Sequence, residues 1–251
     1  MKPSTRELNE VGAMKPRGNR QPGGKNNWRM KALSLYRMLW VPGTLLSFFT
    51  LTSCAERKSS QTMSLSDDRP TINTKTDTAV FGTGCFWCTE AVFQRLDGVL
   101  KVVSGYSGGH VNNPSYEEIG TGTTGHAEAC KIVFDTSKIS YDDLLEVFWK
   151  THDPTTLNRQ GNDVGPQYRS VVFFLDNEQK AKAEYYKEQL NKSGAFANPV
   201  VTTIEPYKNF FSAENYHQNY YNNNPDQMYC RFVIRPKLEK FEKVFKAKLK
   251  H

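Results

Sequence analysis

The chain has 251 residues, with 33 Lys and Arg against 26 Asp and Glu, a formal net charge of +7 at pH 7. The first 54 residues hold nine Lys or Arg and two acids, so the entire basic excess lies there and the remaining 24 basic and 24 acidic residues balance. A nucleic-acid partner is therefore not indicated, because a phosphate backbone is held by basic charge clustered on the folded surface.

A chain of this length suggests one sizeable domain and an appendage. Residues 1–29 are rich in Gly, Pro, Asn and Arg without apolar periodicity. They are expected to be a disordered extension, or to precede a true start at Met30. From Met30 a short basic region with Lys31 and Arg37 leads into an apolar run from Met38 to Leu51 and then Leu51-Thr52-Ser53-Cys54. That run is short of the ~20 residues a spanning helix needs, and the small residues that follow it complete the form of a secretory signal over 30–54. Leu-Thr-Ser-Cys resembles the bacterial lipoprotein cleavage box, which implies lipidation of Cys54 and a cell-envelope location, tethered to the membrane by lipid and facing the periplasm or exterior. Residues 55–77, mostly Ser, Thr, Lys and Asp, read as a flexible tether, with the folded domain expected over 78–251.

In that domain Thr78 to Phe81 reads as a strand, and Thr89 to Leu96 places its apolar residues at helical spacing before Gly98. Gly84-Cys85-Phe86-Trp87-Cys88 sits between them, so Cys85 is expected at a helix N-terminus, where unpaired N–H groups and the helix dipole favour the reactive thiolate. Val99 to Val103 reads as a second strand, followed by a glycine-shaped loop, Ser104 to His110, and further loop to residue 126. Ala127 to Phe134 forms a third strand. Ser140-x-x-Asp143 is a capping box for a helix with Leu144, Leu145, Val147, Phe148 and Trp149 on its apolar face. A long polar loop runs to Gln167. Then come a strand over Tyr168 to Leu175, a charged helix over Glu178 to Asn191 stopped by Gly194, a strand over Val200 to Ile204, a short helix through Tyr216 to Tyr221, and an amphipathic helix from Pro236 to Lys250 presenting Leu238, Phe241, Val244, Phe245 and Leu249. The order strand, helix, strand, strand, helix, strand predicts an α+β fold with a ferredoxin-like split βαβ core, extra C-terminal helices and long loops.

With Cys85 as nucleophile, candidate partners are sought in the glycine-rich loops and strand ends. Tyr106 lies in Ser-Gly-Tyr-Ser-Gly-Gly, Glu128 opens the third strand, and Asp163 and Tyr168 flank Val164-Gly165-Pro166-Gln167. If Glu128 faces a pocket, desolvation favours its protonated, proton-donating form. Cys130, among apolar neighbours, reads as core.

Gly84 to Cys88, Gly105-Tyr106-Ser107-Gly108-Gly109, Gly125-His126-Ala127-Glu128, Asn158 to Gly165 with Gln167-Tyr168-Arg169-Ser170, Tyr216 to Tyr220, and Tyr229-Cys230 occur in an order that closely resembles peptide methionine sulfoxide reductase of the A type. The resemblance implies that Cys85 attacks the sulfur of methionine S-sulfoxide, free or in oxidised proteins, as part of protein repair. Glu128 would supply a proton to the departing oxygen, Tyr106 and Tyr168 would hydrogen-bond that oxygen, Asp163 would order the loop, and Phe86 and Trp87 would receive the methyl group. Cys85 is left as a sulfenic acid that a second thiol converts to a disulfide. Cys88, one helical turn away, and Cys230, in a C-terminal segment able to fold over the site, are both candidates. No bound cofactor or metal is implied, a thioredoxin-like dithiol would be the external reductant, and the enzyme is expected as a monomer. A plain disulfide oxidoreductase built on the CxxC would leave Tyr106, Glu128 and Tyr168 idle. A zinc module using Cys85, Cys88 and two of His110, His126 and His217 matches no compact ligand spacing.

Overall fold

The structure is a computed structural model that describes residues 75–250; the expected extension, signal peptide, Cys54 and all of the tether before Lys75 lie outside them. In chain order the core elements are β1 (Thr76–Thr83), α1 (Phe86–Phe93), β2 (Val99–Ser107), the short α2 (Tyr116–Gly120), β3 (Ala127–Asp135) and α3 (Tyr141–Thr151). A two-residue hairpin follows, β4 (Arg159–Gln160) and β5 (Asp163–Val164), then β6 (Ser170–Phe174), α4 (Asn177–Ser193), β7 (Thr203–Pro206), β8 (Phe210–Ser212), α5 (Tyr220–Asn223) and α6 (Arg235–Val244).

The main sheet runs β7-β6-β1-β3-β2-β8. Its four central strands, β6-β1-β3-β2, are mutually antiparallel, and with α1 and α3 they make the expected split βαβ core. β7 adds parallel to β6 and β8 antiparallel to β2. Alternation along the strands divides the sheet's two faces. Phe81, Cys130, Ile132, Phe134 and Val172 enter the large core beneath the helices, whereas Val80, Ala127, Ala129, Val171 and Phe173 form a smaller cluster closed by Tyr207 and Phe210. The ring of Phe81 lies 5.7 Å from that of Phe93 on α1 and 5.0 Å from that of Phe148 on α3. Truncating a buried ring of this kind costs about 3–5 kcal/mol, so this junction fixes both helices on the sheet.

The Ser140 capping box is present with both hydrogen bonds, and α4 ends at Gly194 in the left-handed conformation. Several boundaries differ from the sequence reading. β1 begins at Thr76. β6 begins at Ser170, because Pro166–Tyr168 forms a 3-10 turn after Gly165, and β7 pairs over Thr203–Pro206 instead of Val200 to Ile204. The helix expected through Tyr221 is a 3-10 turn at Asn215–His217, a left-handed Asn219 and the short α5. The C-terminal helix starts as a wide π turn at Cys230–Ile234 and ends at Val244. That register leaves Val244 59% exposed, off the apolar face, while Leu249 returns as an extended residue bridging Leu96.

The C-terminal segment is wound onto α1. Glu90 of α1, 2% exposed, accepts hydrogen bonds from the N–H groups of Asn219 and Tyr220 at 2.9 and 3.3 Å. Gln218 bonds both the N–H and the carbonyl of Ser104, extending the β2 edge beyond β8. These contacts bring residues far down the chain to the start of α1.

Candidate active site

Cys85 occupies the turn from β1 into α1. Gly84 takes a φ of 94° there, and a Cβ on it would collide with the Gln160 side chain, so both backbone and neighbour require glycine. Cys85 immediately precedes the first helical turn but makes no side-chain capping bond. The N–H of Phe86, one of the unpaired groups at the helix start, instead donates to Glu128 Oε2 at 2.9 Å. Position 128 falls on the helix-facing side of β3 with Cys130 and Ile132, which carries the carboxyl under α1.

Glu128 is 2% exposed. Burial first, then Asp163 and Cys88, push its pKa up to about 8 against the pull of the Phe86 N–H. At neutral pH it is mainly a carboxylic acid, as expected from a pocket-facing position.

Cys85, Glu128 and Phe86 border a cavity of about 220 Å³, together with Trp87, Tyr116, Asp163, Tyr168 and Tyr229. This volume is below the range of drug-sized sites, about 300–1,000 Å³, and suits a single side chain. A larger groove of about 590 Å³ lies against Trp149, Tyr186 and Lys240, but it contains no thiol. Trp87 is held as a wall of the cavity from behind. It stacks on Tyr220 at 3.7 Å and 7°, and its indole N–H donates to His217 Nδ1 at 3.1 Å. Asp163 accepts the Tyr229 hydroxyl at 2.6 Å, locking the β4–β5 hairpin to the C-terminal segment.

Tyr106 does not join this group. It pairs with Glu128 across β2 and β3, but its ring is fully buried against Phe86 and its hydroxyl donates to Glu214 Oε2 at 2.8 Å. Tyr116, absent from the sequence reading, lines the cavity in its place. The capping box of Ser115 and Glu118 starts α2 at Tyr116, whose backbone N–H binds the other oxygen of Glu214 at 2.9 Å. Ser115-x-x-Glu118 was the available signal. Burial and then Glu128 and Cys85 raise the Tyr116 hydroxyl to about 12, and burial and Glu128 raise Tyr168 as well. Both therefore keep their protons and can donate them to a bound oxygen.

The thiol environment is more complicated than a helix-terminal thiolate. Burial, followed by hydrogen bonding with Cys88, raises Cys85, while hydrogen bonding with Cys85 brings Cys88 down to about 7 despite its burial. The two thiols titrate as a pair, one ionising readily and the other held protonated by burial and by the neighbouring anion. An anion reaches Cys85 when the retained proton sits on Cys88, and the Tyr229 hydroxyl favours the anionic form of either sulfur. Cys130 is core, with its thiol toward the carbonyl of Phe86 at 3.5 Å. Cys230 is fully buried and borders neither this cavity nor the neighbouring cleft that reaches Cys88.

His126 is occupied by the Gly109 N–H and the Val111 carbonyl. Among the described residues no group of three or more His, Cys, Asp or Glu is placed to hold a metal ion.

Residues 77–249 match the family described as Peptide methionine sulfoxide reductase. The chain belongs to that family. Curated relatives include the peptide methionine sulfoxide reductase MsrA of Nautilia profundicola, 55% identical over 66% of this chain and 94% of the relative, and that of Deinococcus radiodurans, 56% identical over 68% and 84%. The solved structure of Mxr1 from Saccharomyces cerevisiae in reduced form is 32% identical with a TM-score of 0.58, covering 63% of this chain and 91% of that one. Methionine sulfoxide reductase A of Corynebacterium diphtheriae is 34% identical with a TM-score of 0.57, covering 62% and 78%. This reductase is accordingly an oxidoreductase acting on methionine sulfoxide, on the α+β scaffold its solved relatives share.

Proposed function

We propose that the reductase acts on the S epimer of methionine sulfoxide, free or in oxidised proteins, with Cys85 as nucleophile, Glu128 as proton donor, Tyr116 and Tyr168 as oxygen-binding groups and Cys88 as the resolving thiol. The observation that carries this reading is the buried Glu128 carboxyl, fixed by the Phe86 N–H at 2.9 Å in the cavity that Cys85 also borders. The substrate methyl group packs against Phe86 and Trp87, where sulfur–aromatic contact contributes about 0.3–1.5 kcal/mol. Cys85 thiolate attacks the sulfoxide sulfur as the oxygen takes the Glu128 proton, with the two tyrosine hydroxyls stabilising the negative charge that develops on it. The hydroxyl then passes from the substrate sulfur to Cys85 Sγ as the transient sulfur–sulfur bond breaks, so methionine leaves and Cys85 is left as a sulfenic acid. Cys88 then displaces that hydroxyl as water, forming the Cys85–Cys88 disulfide. A thioredoxin-like dithiol restores both thiols. Asp163 acts by holding Tyr229 and the hairpin, and Tyr106 acts by supporting Phe86 and Glu214.

Paired variants test the oxygen-binding assignment. Tyr116→Phe should lower kcat on the S-sulfoxide by about tenfold or more, the scale of one lost transition-state hydrogen bond. Tyr106→Phe should affect chiefly thermal stability. Activity assayed on the separated epimers, with melting temperatures alongside, distinguishes these outcomes. A larger kcat loss for Tyr106→Phe, or turnover of the R epimer, contradicts the arrangement.

Lipid carriage is proposed from the pattern over 30–54 alone: a basic start, an apolar run too short for comfortable spanning, and Leu51-Thr52-Ser53-Cys54. The domain would then work in the cell envelope, tethered through Cys54 by the polar stretch after it. Cells grown with an alkynyl fatty acid should label the protein, and Cys54→Ser should abolish the label. Equal labelling of the variant rules this out.

A further inference from the structure

The Cys85–Cys88 pair opens on two sides. Besides the substrate cavity, a second cleft of about 300 Å³ reaches both sulfurs, bordered by Gln160, Asn162, Phe232, Val233 and Lys237. The two spaces share Cys85, Asp163 and Tyr229, but Glu128, Tyr116 and Tyr168 border only the first, and Cys88 and Lys237 only the second. A group entering the second cleft thus meets the resolving sulfur and none of the oxygen-handling residues.

The rim of this cleft is unusual for a soluble surface. Phe232 is 69% exposed and Val233 is also exposed. Apolar side chains gathered around a reactive centre mark an interaction surface more often than an accident of folding. Lys237, the cation among the residues that border the cleft, adds positive charge to these apolar contacts. Lys237 itself lies near enough to Cys88 to favour its anion.

Resting on the disulfide reading above, we propose that this second cleft is the docking site and entrance for the reducing protein, a dithiol partner with an apolar and acidic surface around its thiols, and that Lys237 positions the incoming thiolate on Cys88. The partner's thiolate attacks Cys88 Sγ; a new inter-protein disulfide forms, the Cys85–Cys88 bond breaks, and Cys85 leaves as thiolate on the helix terminus. The partner's second thiol then attacks its own sulfur in that mixed disulfide, Cys88 departs as thiolate beside Lys237 and takes up a proton, and the partner is left oxidised. Substrate and reductant enter by different mouths, so a bulky oxidised protein need not clear the whole site before a reductant reaches Cys88.

The test starts from full-length enzyme oxidised by one turnover with methionine S-sulfoxide, with the Cys85–Cys88 disulfide mapped by peptide analysis. Its reduction is followed with three probes: a bacterial thioredoxin, the anionic thiol 2-mercaptoethanesulfonate and the cationic thiol cysteamine. Reversing the charge near Cys88 with Lys237→Glu should change the anionic-to-cationic rate ratio by at least about tenfold in favour of cysteamine and slow thioredoxin. Phe232→Asp should slow thioredoxin by about tenfold while leaving the ratio between the small thiols unchanged. Lys208→Glu, on the β7–β8 turn, borders neither space and should do neither. If the disulfide forms normally but both Lys237→Glu and Phe232→Asp match the wild-type rates, the docking assignment is overturned. If no Cys85–Cys88 disulfide forms, the resolving assignment fails first and takes the docking assignment with it.

Discussion

Glu128→Gln should lower kcat on methionine S-sulfoxide by about 10²–10⁴-fold, the usual range for a positioned general acid. Glutamine keeps the shape and can still accept the Phe86 N–H, so the loss isolates the proton and not the fold. Alkylation of Cys85 by iodoacetamide should persist in the variant, which separates a missing acid from a missing nucleophile. The wild-type profile should fall with pH through about 8, as Glu128 loses its proton, and the variant's residual activity should lack that fall. Wild-type stability falls with pH as well. The folded-state pKa lies above the ordinary 4.5, so the folded protein holds a proton that the unfolded chain has lost between those values. That contribution is complete below about pH 4.5 and disappears as pH rises through about 8, so the wild type loses stability across this window. Glutamine carries no such dependence. The variant should therefore be more stable than the wild type at pH 8 and above, by an amount on the order of a few kcal/mol. Comparable turnover, or the same alkaline limb in both proteins, would remove Glu128 from its proposed role.

The sequence singled out Glu128 at the opening of the third strand but left its face open; strand alternation in the structure decides it, since Glu128 shares parity with Cys130, Ile132 and Phe134, all beneath the helices. The same alternation outlined β1, β3 and the helices packed on them, and the Ser140 box and Gly194 marked two helix ends. Glycines misdirected the reading at Tyr106. Gly105 and Gly108 lie within β2 or directly after it, and added Cβ atoms would meet Phe210 and the Phe211 carbonyl at one and Phe173 at the other. They serve close packing of the strand, so what looked like a shaped loop is a continuation of β2 that points Tyr106 into the core. Tyr116 was hidden in an apparently breaker-rich loop, although the Ser115 box was there to find. Other features depend on distant residues. β8 is three residues long and exists because β2 offers an edge, while Asn219 and Tyr220 settle on Glu90 through backbone N–H groups that carry no side-chain signature. Lys237 borders the same cleft as Cys88 from α6, which follows the π turn at Cys230–Ile234, and no local pattern encodes that meeting.

Cys88→Ser should separate the chemistry of substrate from that of recycling. One equivalent of methionine should still form per enzyme, since the Cys85 sulfur and the Glu128 acid are untouched, but the product enzyme should carry a sulfenic acid and lose one free thiol, where the wild type loses two. Turnover driven by a protein dithiol should fall by about 10²-fold or more, because the partner must then reduce a sulfenic acid at Cys85 directly, with no disulfide at Cys88 for its thiolate to open. Dithiothreitol, small enough to enter directly, should restore part of the rate. Cys230→Ser should behave in the reverse manner. Its position is fully buried in the π turn, so a hydroxyl there desolvates at a cost of about 1–3 kcal/mol, while the enzyme still loses two thiols per turnover. The contrast follows from geometry: Cys85 and Cys88 border one cleft, a single helical turn apart, and Cys230 borders neither space through which substrate or reductant arrives. Thiol counting after a single turnover decides the matter, since continued loss of two thiols in Cys88→Ser would assign the second sulfur to Cys230 and require the C-terminal segment to move.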